Sequence, residues 1–242
     1  MVEFGDNLSW TYVMGGLARD YTNTPDARAK RLAHWLDVAD RGDMPLDPRL
    51  WQEAAISSSY PACMAVKAAA EQGTDAAGRY LRAVREGLMC FRRKLDAVEA
   101  LVEEARRVRL DVERFRIDLG SHAIVEAFGT DLEETRAGAP EGRERIPFPT
   151  VVFDGEARAG AYEFRSYDEL RAAALEAGAS PLDGPPPGVL DALRRFGTMA
   201  TAEVAAVCSL PGPRAPAELW RLASEWQVRP VRILTGDLWE LV

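Results

Sequence analysis

The stretch Ile146-Pro147-Phe148-Pro149-Thr150-Val151-Val152-Phe153-Asp154-Gly155 constrains the fold most, because prolines flank Phe148 just ahead of an apolar β-run that stops at a glycine. Proline brings no N–H to a sheet ladder, so Pro149 belongs at the first position or the edge of a strand. An X-Pro amide gives up only ~0.5–1 kcal/mol to become cis. A cis bond here turns the Phe148 N–H and C=O outward, free to pair with an extended polypeptide, whereas a trans bond is simply a rigid strand start. A second β-run from Ala159 to Arg165 and a helical pattern from Tyr167 to Ala177 follow. The expectation is a compact ββα unit.

With 242 residues, 47% of them hydrophobic, the chain is long for one compact unit and short for two large ones. One domain with a small appendage is expected. A net charge of -8 supplies no general basic field, which disfavours a nucleic-acid role. Cys63, Cys90 and Cys208 lie far apart and form no disulfide framework. The opening residues Met1-Val2-Glu3-Phe4-Gly5-Asp6 carry no basic or apolar leader pattern, which reads as cytoplasmic. Arg, Asp or Glu interrupts every apolar run before it reaches membrane-spanning length, so no membrane span is expected.

Residues Leu8 to Met14 alternate and are rich in β-branched and aromatic side chains, predicting a strand that ends at Gly15-Gly16. From about 26 to 138 the pattern is helical. Leu32, Trp35, Leu36 and Ala39 share one face, and Pro61 suits the first turn of a helix that Ser59 could cap. Tyr80, Leu81, Val84, Leu88, Phe91 and Leu95 form the stripe of a long core-facing helix containing Cys90, with Arg79, Arg82, Arg85, Arg92 and Arg93 on a solvated basic side. Asp96 and Glu99 have capping-box spacing, and Ser121 is placed to cap a further helix. Asp131, Glu133 and Glu134 read as a solvated surface, and 138–145 as a loop. Residues 178–188 contain Pro181, Pro185, Pro186 and Pro187, so a linker is placed at 180–188 between units 1–179 and 189–242. In the tail, three short helices precede two strands around Thr235-Gly236-Asp237, the order of a winged helix. Glu218 and Glu225 against Arg221 alone make the third helix a poor reader of phosphates, and Trp220, Trp226 and Trp239 are candidate anchors of its core or of a partner surface.

Phe148-Pro149-Thr150 before a ββα unit, the helical insertion, Ser57-Ser58-Ser59-Tyr60-Pro61-Ala62-Cys63 and Phe115-Arg116-Ile117-Asp118-Leu119 together resemble the DsbA-like branch of thioredoxin-fold proteins over Leu8 to Ala179. The resemblance implies an α/β thioredoxin-like fold with a large inserted helical subdomain, incomplete at its N-terminus and followed by the winged-helix-like unit. Members begin with a strand and a Cys-bearing helix, and this chain opens after both. Met1 is therefore expected to be an internal methionine of a longer protein. The missing strand would leave its two neighbours with unpaired edges.

For function, the resemblance implies a thiol-disulfide oxidoreductase when complete, acting on protein thiols through a mixed disulfide but inactive as this chain for want of Cys-x-x-Cys. It offers two alternatives: a non-catalytic adaptor for the ClpXP protease, or a relative of the glutathione-using 2-hydroxychromene-2-carboxylate isomerases. Phe148, Pro149 and Thr150 are the candidate substrate-binding residues. Cys63 is the one catalytic candidate, since a helix N-terminus would lower its pKa, and a small buried residue is the alternative. His34 and His122 lack neighbours at ligand spacing, and neither a metal nor a cofactor is expected.

Overall fold

A computed structural model describes residues 2–242. Seven helices fill the first half: α1 (Pro25–Gly42), α2 (Leu50–Glu53), α3 (Tyr60–Ala70), α4 (Thr74–Met89), α5 (Val98–Arg107), α6 (Val112–Leu119) and α7 (His122–Ala137). Helix α3 is the hub, touching α4, α5, α6 and α7. It buries Ala62, Ala65, Val66, Ala68 and Ala69, small side chains that let four neighbours approach its backbone closely. Tyr80 of α4 is fully buried, and its hydroxyl donates to Leu101 O at 2.9 Å, so a phenol enters the core without an unpaired oxygen. Helix α1 packs differently. It buries only Ala39, and the Arg31 guanidinium lies over the rings of Tyr21 and Trp51 at 4.9 and 4.8 Å.

Several local expectations fail for a shared reason: the side chain named as a cap is used by a more distant partner. Ser59 makes no cap bond to α3, because its hydroxyl exchanges hydrogen bonds with the backbone of Ala18. Asp96 does not cap α5, because its carboxylate accepts from Ser57 N and Oγ at 2.7 and 2.8 Å. Ser121 does cap α7 as expected, accepting from Ile124 N. Helix α4 stops at Met89, short of Cys90 and Phe91, and Phe91 is 37% exposed.

Strands β1 (Thr150–Asp154) and β2 (Arg158–Tyr162) pair antiparallel, with Val152 opposite Gly160, and α8 (Tyr167–Glu176) covers them. A capping box between Ser166 and Glu169 starts α8. The strand expected over Leu8 to Met14 does not form. This segment has no sheet partner; a strand is stable only through its pairing, and the Met14 N–H goes instead to the Asp131 carboxylate at 2.7 Å. The chain just before it straps α8 to the proline-rich stretch: Glu3 meets Arg171 at 2.5 Å, and Leu182 N donates to Glu3 O at 2.6 Å.

The tail comprises α9 (Val189–Phe196), β3 (Met199–Ala200), α10 (Thr201–Val207), α11 (Arg214–Ser224), β4 (Val228–Ile233) and β5 (Gly236–Leu241), with sheet order β3-β5-β4. Alternation along these strands splits the buried side chains between two cores. Met199, Val228 and Trp239 face α9, α10 and α11, while Ala200, Ile233 and Leu238 meet Cys90, Met44 and Met89 of the helical half. The hairpin tip is tied down, since Thr235 N donates to Leu46 O at 3.2 Å and Leu46 N to Thr235 Oγ1 at 2.7 Å. Arg82, expected on a solvated side of α4, instead binds both Glu203 carboxylate oxygens and donates to Thr198 O at 2.8 Å. The same Glu203 carboxylate accepts from Ala200 N at 2.8 Å, so one ion pair both starts α10 and fastens the tail to α4. Trp239 is the buried tryptophan of the tail; Trp226 is 82% exposed. Among the described residues, no helix is long and apolar enough to cross a membrane.

Replacing Arg82 by Ala strands Glu203 and the Thr198 carbonyl in a half-buried contact. We expect a loss of about 1–3 kcal/mol. Denaturant midpoints should fall, and protease should cut the 178–188 stretch faster. Unchanged midpoint and cleavage would disprove this account of the docking.

Candidate functional site

The Phe148–Pro149 peptide bond is cis. Pro149 is exposed and Phe148 half-buried, and Phe148 sits on the turn Gly15-Gly16-Leu17-Ala18. Gly16 needs to be glycine for its backbone, and Gly15 leaves the room that the Phe148 ring occupies. A Cβ on Gly15 would lie 1.9 Å from Phe148 Cζ. Gly16 has φ +56, and a Cβ on it would come within 2.8 Å of Leu132 and 2.9 Å of Tyr60.

Four groups hold this turn. Arg145 donates from Nη1 to Gly16 O at 2.6 Å and from Nη2 to Leu17 O at 2.8 Å, with its guanidinium 5.4 Å from the Phe148 ring centre. Ser59 Oγ accepts from Ala18 N at 2.9 Å and donates to Ala18 O at 3.0 Å. Tyr60 packs edge-on against Phe128 beneath Gly16. Asp131 holds the Met14 amide with Oδ2 and Lys67 Nζ with Oδ1 at 2.9 Å. Asp131 is thus 6% exposed, not part of a solvated surface; both its oxygens are paired, which is the condition for burying a carboxylate.

The turn therefore brings together the two motifs that stand far apart in sequence, Ser57 to Cys63 and Phe148 to Thr150. Cys63 lies in the first turns of α3 under Gly16, whose backbone N–H favours a thiolate, but burial outweighs this and pushes the thiol up to about 11. Cys90 is pushed up to about 12 and Cys208 upward, in both cases with burial as the leading cause. The expected lowering at Cys63 does not occur. A shallow cavity of about 180 Å³ opens beside the turn, lined in part by Leu17, Arg19, Tyr60 and Arg145. It presents backbone, guanidinium and phenol groups. Sequence reading missed Gly15, Gly16, Asp131 and Arg145 as site residues. The one available signal was a Gly-Gly pair directly after an apolar run.

Two measurements test this geometry. With a pKa of about 11, Cys63 is thiolate to roughly one part in a thousand at pH 8, so iodoacetamide should label it about two orders of magnitude slower than a free thiol. Because the folded thiol keeps its proton above the unfolded value, its contribution to stability is fully present below about pH 8.5 and declines as pH rises towards 11. Labelling at the free-thiol rate in native protein would refute the burial. Separately, Asp131→Ala leaves Lys67 and the Met14 amide unpaired and should cost about 2–4 kcal/mol in chemical denaturation. The double change Asp131→Leu, Lys67→Met should recover part of that loss.

The sequence profile of the family described as Thioredoxin matches residues 2–163. Relatives named ClpXP adapter protein SpxH match nearly the whole chain. That from Shouchella clausii is 32% identical, covering 99% of this chain and 80% of its own length, and that from Halalkalibacterium halodurans is 29% identical, covering 98% and 80%. A solved structure from Nitrosomonas europaea, named as a "putative protein disulfide isomerase", superposes with a TM-score of 0.56 at 19% identity, over 67% of this chain and 77% of that one. That likeness establishes a shared fold. By the profile over most of its length and by relatives that align with nearly all of it, the chain belongs to the thioredoxin family, together with the proteins named SpxH.

Proposed function

We propose that this chain works by binding protein and delivering it to a ClpXP-type protease, with no catalysis of its own. The observation that carries this reading is the extent of the likeness. The adapter relatives align over 98% and 99% of the chain, tail included, whereas the disulfide-isomerase structure accounts for 67%. A delivery role uses a second unit; thiol exchange does not need one. Thiolate chemistry is also unsupported by the residues described, since burial raises the pKa of all three thiols.

In this reading Phe148, Pro149 and Thr150 form a docking loop for extended polypeptide rather than half of a redox site. Strand β1 has a sheet partner on one side only, and exposed Pro149 and Leu17 flank the loop with apolar surface. The tail, with helices and hairpin in winged-helix order, serves as a packing and protein-binding unit. Its hairpin tip is bonded to Leu46, and Arg221 on α11 is held by Glu218 and Glu225, which leaves Arg214 as the one cation of α11 without a carboxylate partner among the described residues, too little to hold a phosphate backbone. Residues 180–188 join unit 1–179 to unit 189–242, and delivery to ClpXP places the protein in the cytoplasm.

The test is reconstituted degradation. Proteins captured from cells on the purified chain should be degraded several-fold faster by ClpXP when the chain is added. The rate should persist after Cys63→Ala, Cys90→Ala and Cys208→Ala, and insulin reduction should stay at background. Insulin reduction that disappears in the cysteine-free variant, with no stimulation of ClpXP, would return the assignment to the oxidoreductases.

A further inference from the structure

A second concave surface lies far along the chain from the Phe148 loop. Between the tail hairpin and the end of α4 runs a cleft of about 770 Å³. One wall is Val231 to Gly236; the other is built by Asp47, Arg49 and the residues Cys90 to Arg92. We propose that this cleft binds an extended acidic segment of a partner protein, one in which a carboxylate stands next to an apolar side chain.

Three features select that occupant. The first is charge. Arg49, Arg92 and Arg232 line the cleft against one carboxylate, Asp47, which is 3% exposed and turned away from solvent. Arg49 grips it with Nε to Oδ1 at 2.8 Å and Nη2 to Oδ2 at 2.5 Å, and Arg92 approaches at 3.3 Å. Arg49 leads in holding the Asp47 carboxyl below its usual range, so Asp47 stays ionised and orients the guanidiniums. Arg92 also meets Glu53, and Arg232 meets Asp237 at 3.0 Å. With Arg232 77% exposed and Glu53 51% exposed, these rim pairs are weak and open to exchange with an incoming carboxylate.

The second feature is apolar surface. Leu234 is 51% and Phe91 37% exposed, one on each wall, and neither belongs to a core cluster. The third is the strand edge. In the order β3-β5-β4, one side of β4 has no sheet partner, and Val231 to Ile233, beyond Pro230, line the cleft. Strand addition there supplies backbone hydrogen bonds, while alternate side chains of the added segment reach arginine or the apolar pair. The cleft is also preformed: the Thr235–Leu46 bonds fix one wall to the other, so little ordering cost opposes binding. Nucleic acid fits less well, since a sugar–phosphate backbone has nothing to add to the free strand edge and no apolar side chain for Leu234 and Phe91.

This inference extends the adaptor reading, and its test is independent of ClpXP. A fluorescein-labelled decapeptide of alternating glutamate and valine is titrated with the full chain, beside its lysine–valine counterpart. Arg232→Glu and Leu234→Ser change exposed side chains; Arg229→Glu, on β4 but paired with Glu240 outside the cleft, is the control. Salt-sensitive binding of the glutamate peptide is expected, weakened about tenfold by Arg232→Glu and by Leu234→Ser and little by Arg229→Glu. Equal binding of the lysine peptide, indifference to both cleft variants, or self-association of the chain that Arg232→Glu abolishes would each overturn the proposal. Failure to stimulate ClpXP would remove the adaptor reading and leave the peptide titration standing.

Discussion

The Asp131 carboxylate is 6% exposed, and the arrangement of the first half of the chain depends on how it is satisfied. A charge at that depth costs several kcal/mol unless both oxygens are paired. Lys67 from α3 takes one and the Met14 amide the other, so α3, α7 and residues 14–18 are fixed relative to one another. The glycine turn can then lie flat between Tyr60 on one side and Phe148 on the other, with Arg145 closing over three of its carbonyls. Without that anchor, the segment Leu8 to Met14 has neither a sheet partner nor a reason to stay extended. The same bond explains why it is not a strand: its last amide is already engaged by a side chain.

A second constraint organises the tail. A three-stranded sheet has two faces, and here each is covered by a different set of helices, the tail's own on one side and the end of α4 on the other. The hairpin that a nucleic-acid reader would present to solvent is spent on this contact. Glu203 joins the two levels of organisation, since it satisfies the start of α10 and the Arg82 guanidinium at once. The cleft beside β4 lies next to this contact, between the hairpin and the end of α4, with arginines and Val231 to Ile233 of the free strand edge in its lining.

The sequence carried the elements whose cause is local. The ββα unit, the lack of helix and strand over 179–188 and the tail's helix–hairpin order follow from proline placement, β-branched runs and turn residues within a few positions of one another. What it concealed are roles decided by distant partners. Asp131, Glu133 and Glu134 look alike as a run of acids on a helix, and only the approach of Lys67, 64 residues away, makes the first of them structural. Arg82 sits among arginines off the apolar stripe, and its partner Glu203 is 121 residues distant. Ser59 and Asp96 have the right types at capping spacing but are taken by Ala18 and Ser57. Spacing along a helix reports which side a residue faces, not what comes to cover that side.

Cys63 shows how packing decides the state of a thiol at a helix start. Two effects compete at that thiol: the start of α3 with the Gly16 N–H favours the anion, and the surrounding Ala and aromatic side chains disfavour it. Helix-terminus effects amount to about 0.3–2 kcal/mol, whereas desolvation of a buried group shifts a pKa by several units, at 1.36 kcal/mol each. Burial therefore wins, and the thiol becomes a packing group. The exposed backbone of the strands is untouched by this outcome. One unpaired edge of β1 and a second one on β4 are properties of the backbone, and backbone recognition needs no thiolate. In this chain the three cysteines act as packing groups, so what the framework presents at the Phe148 turn and beside β4 is backbone, guanidinium and apolar surface rather than a thiolate.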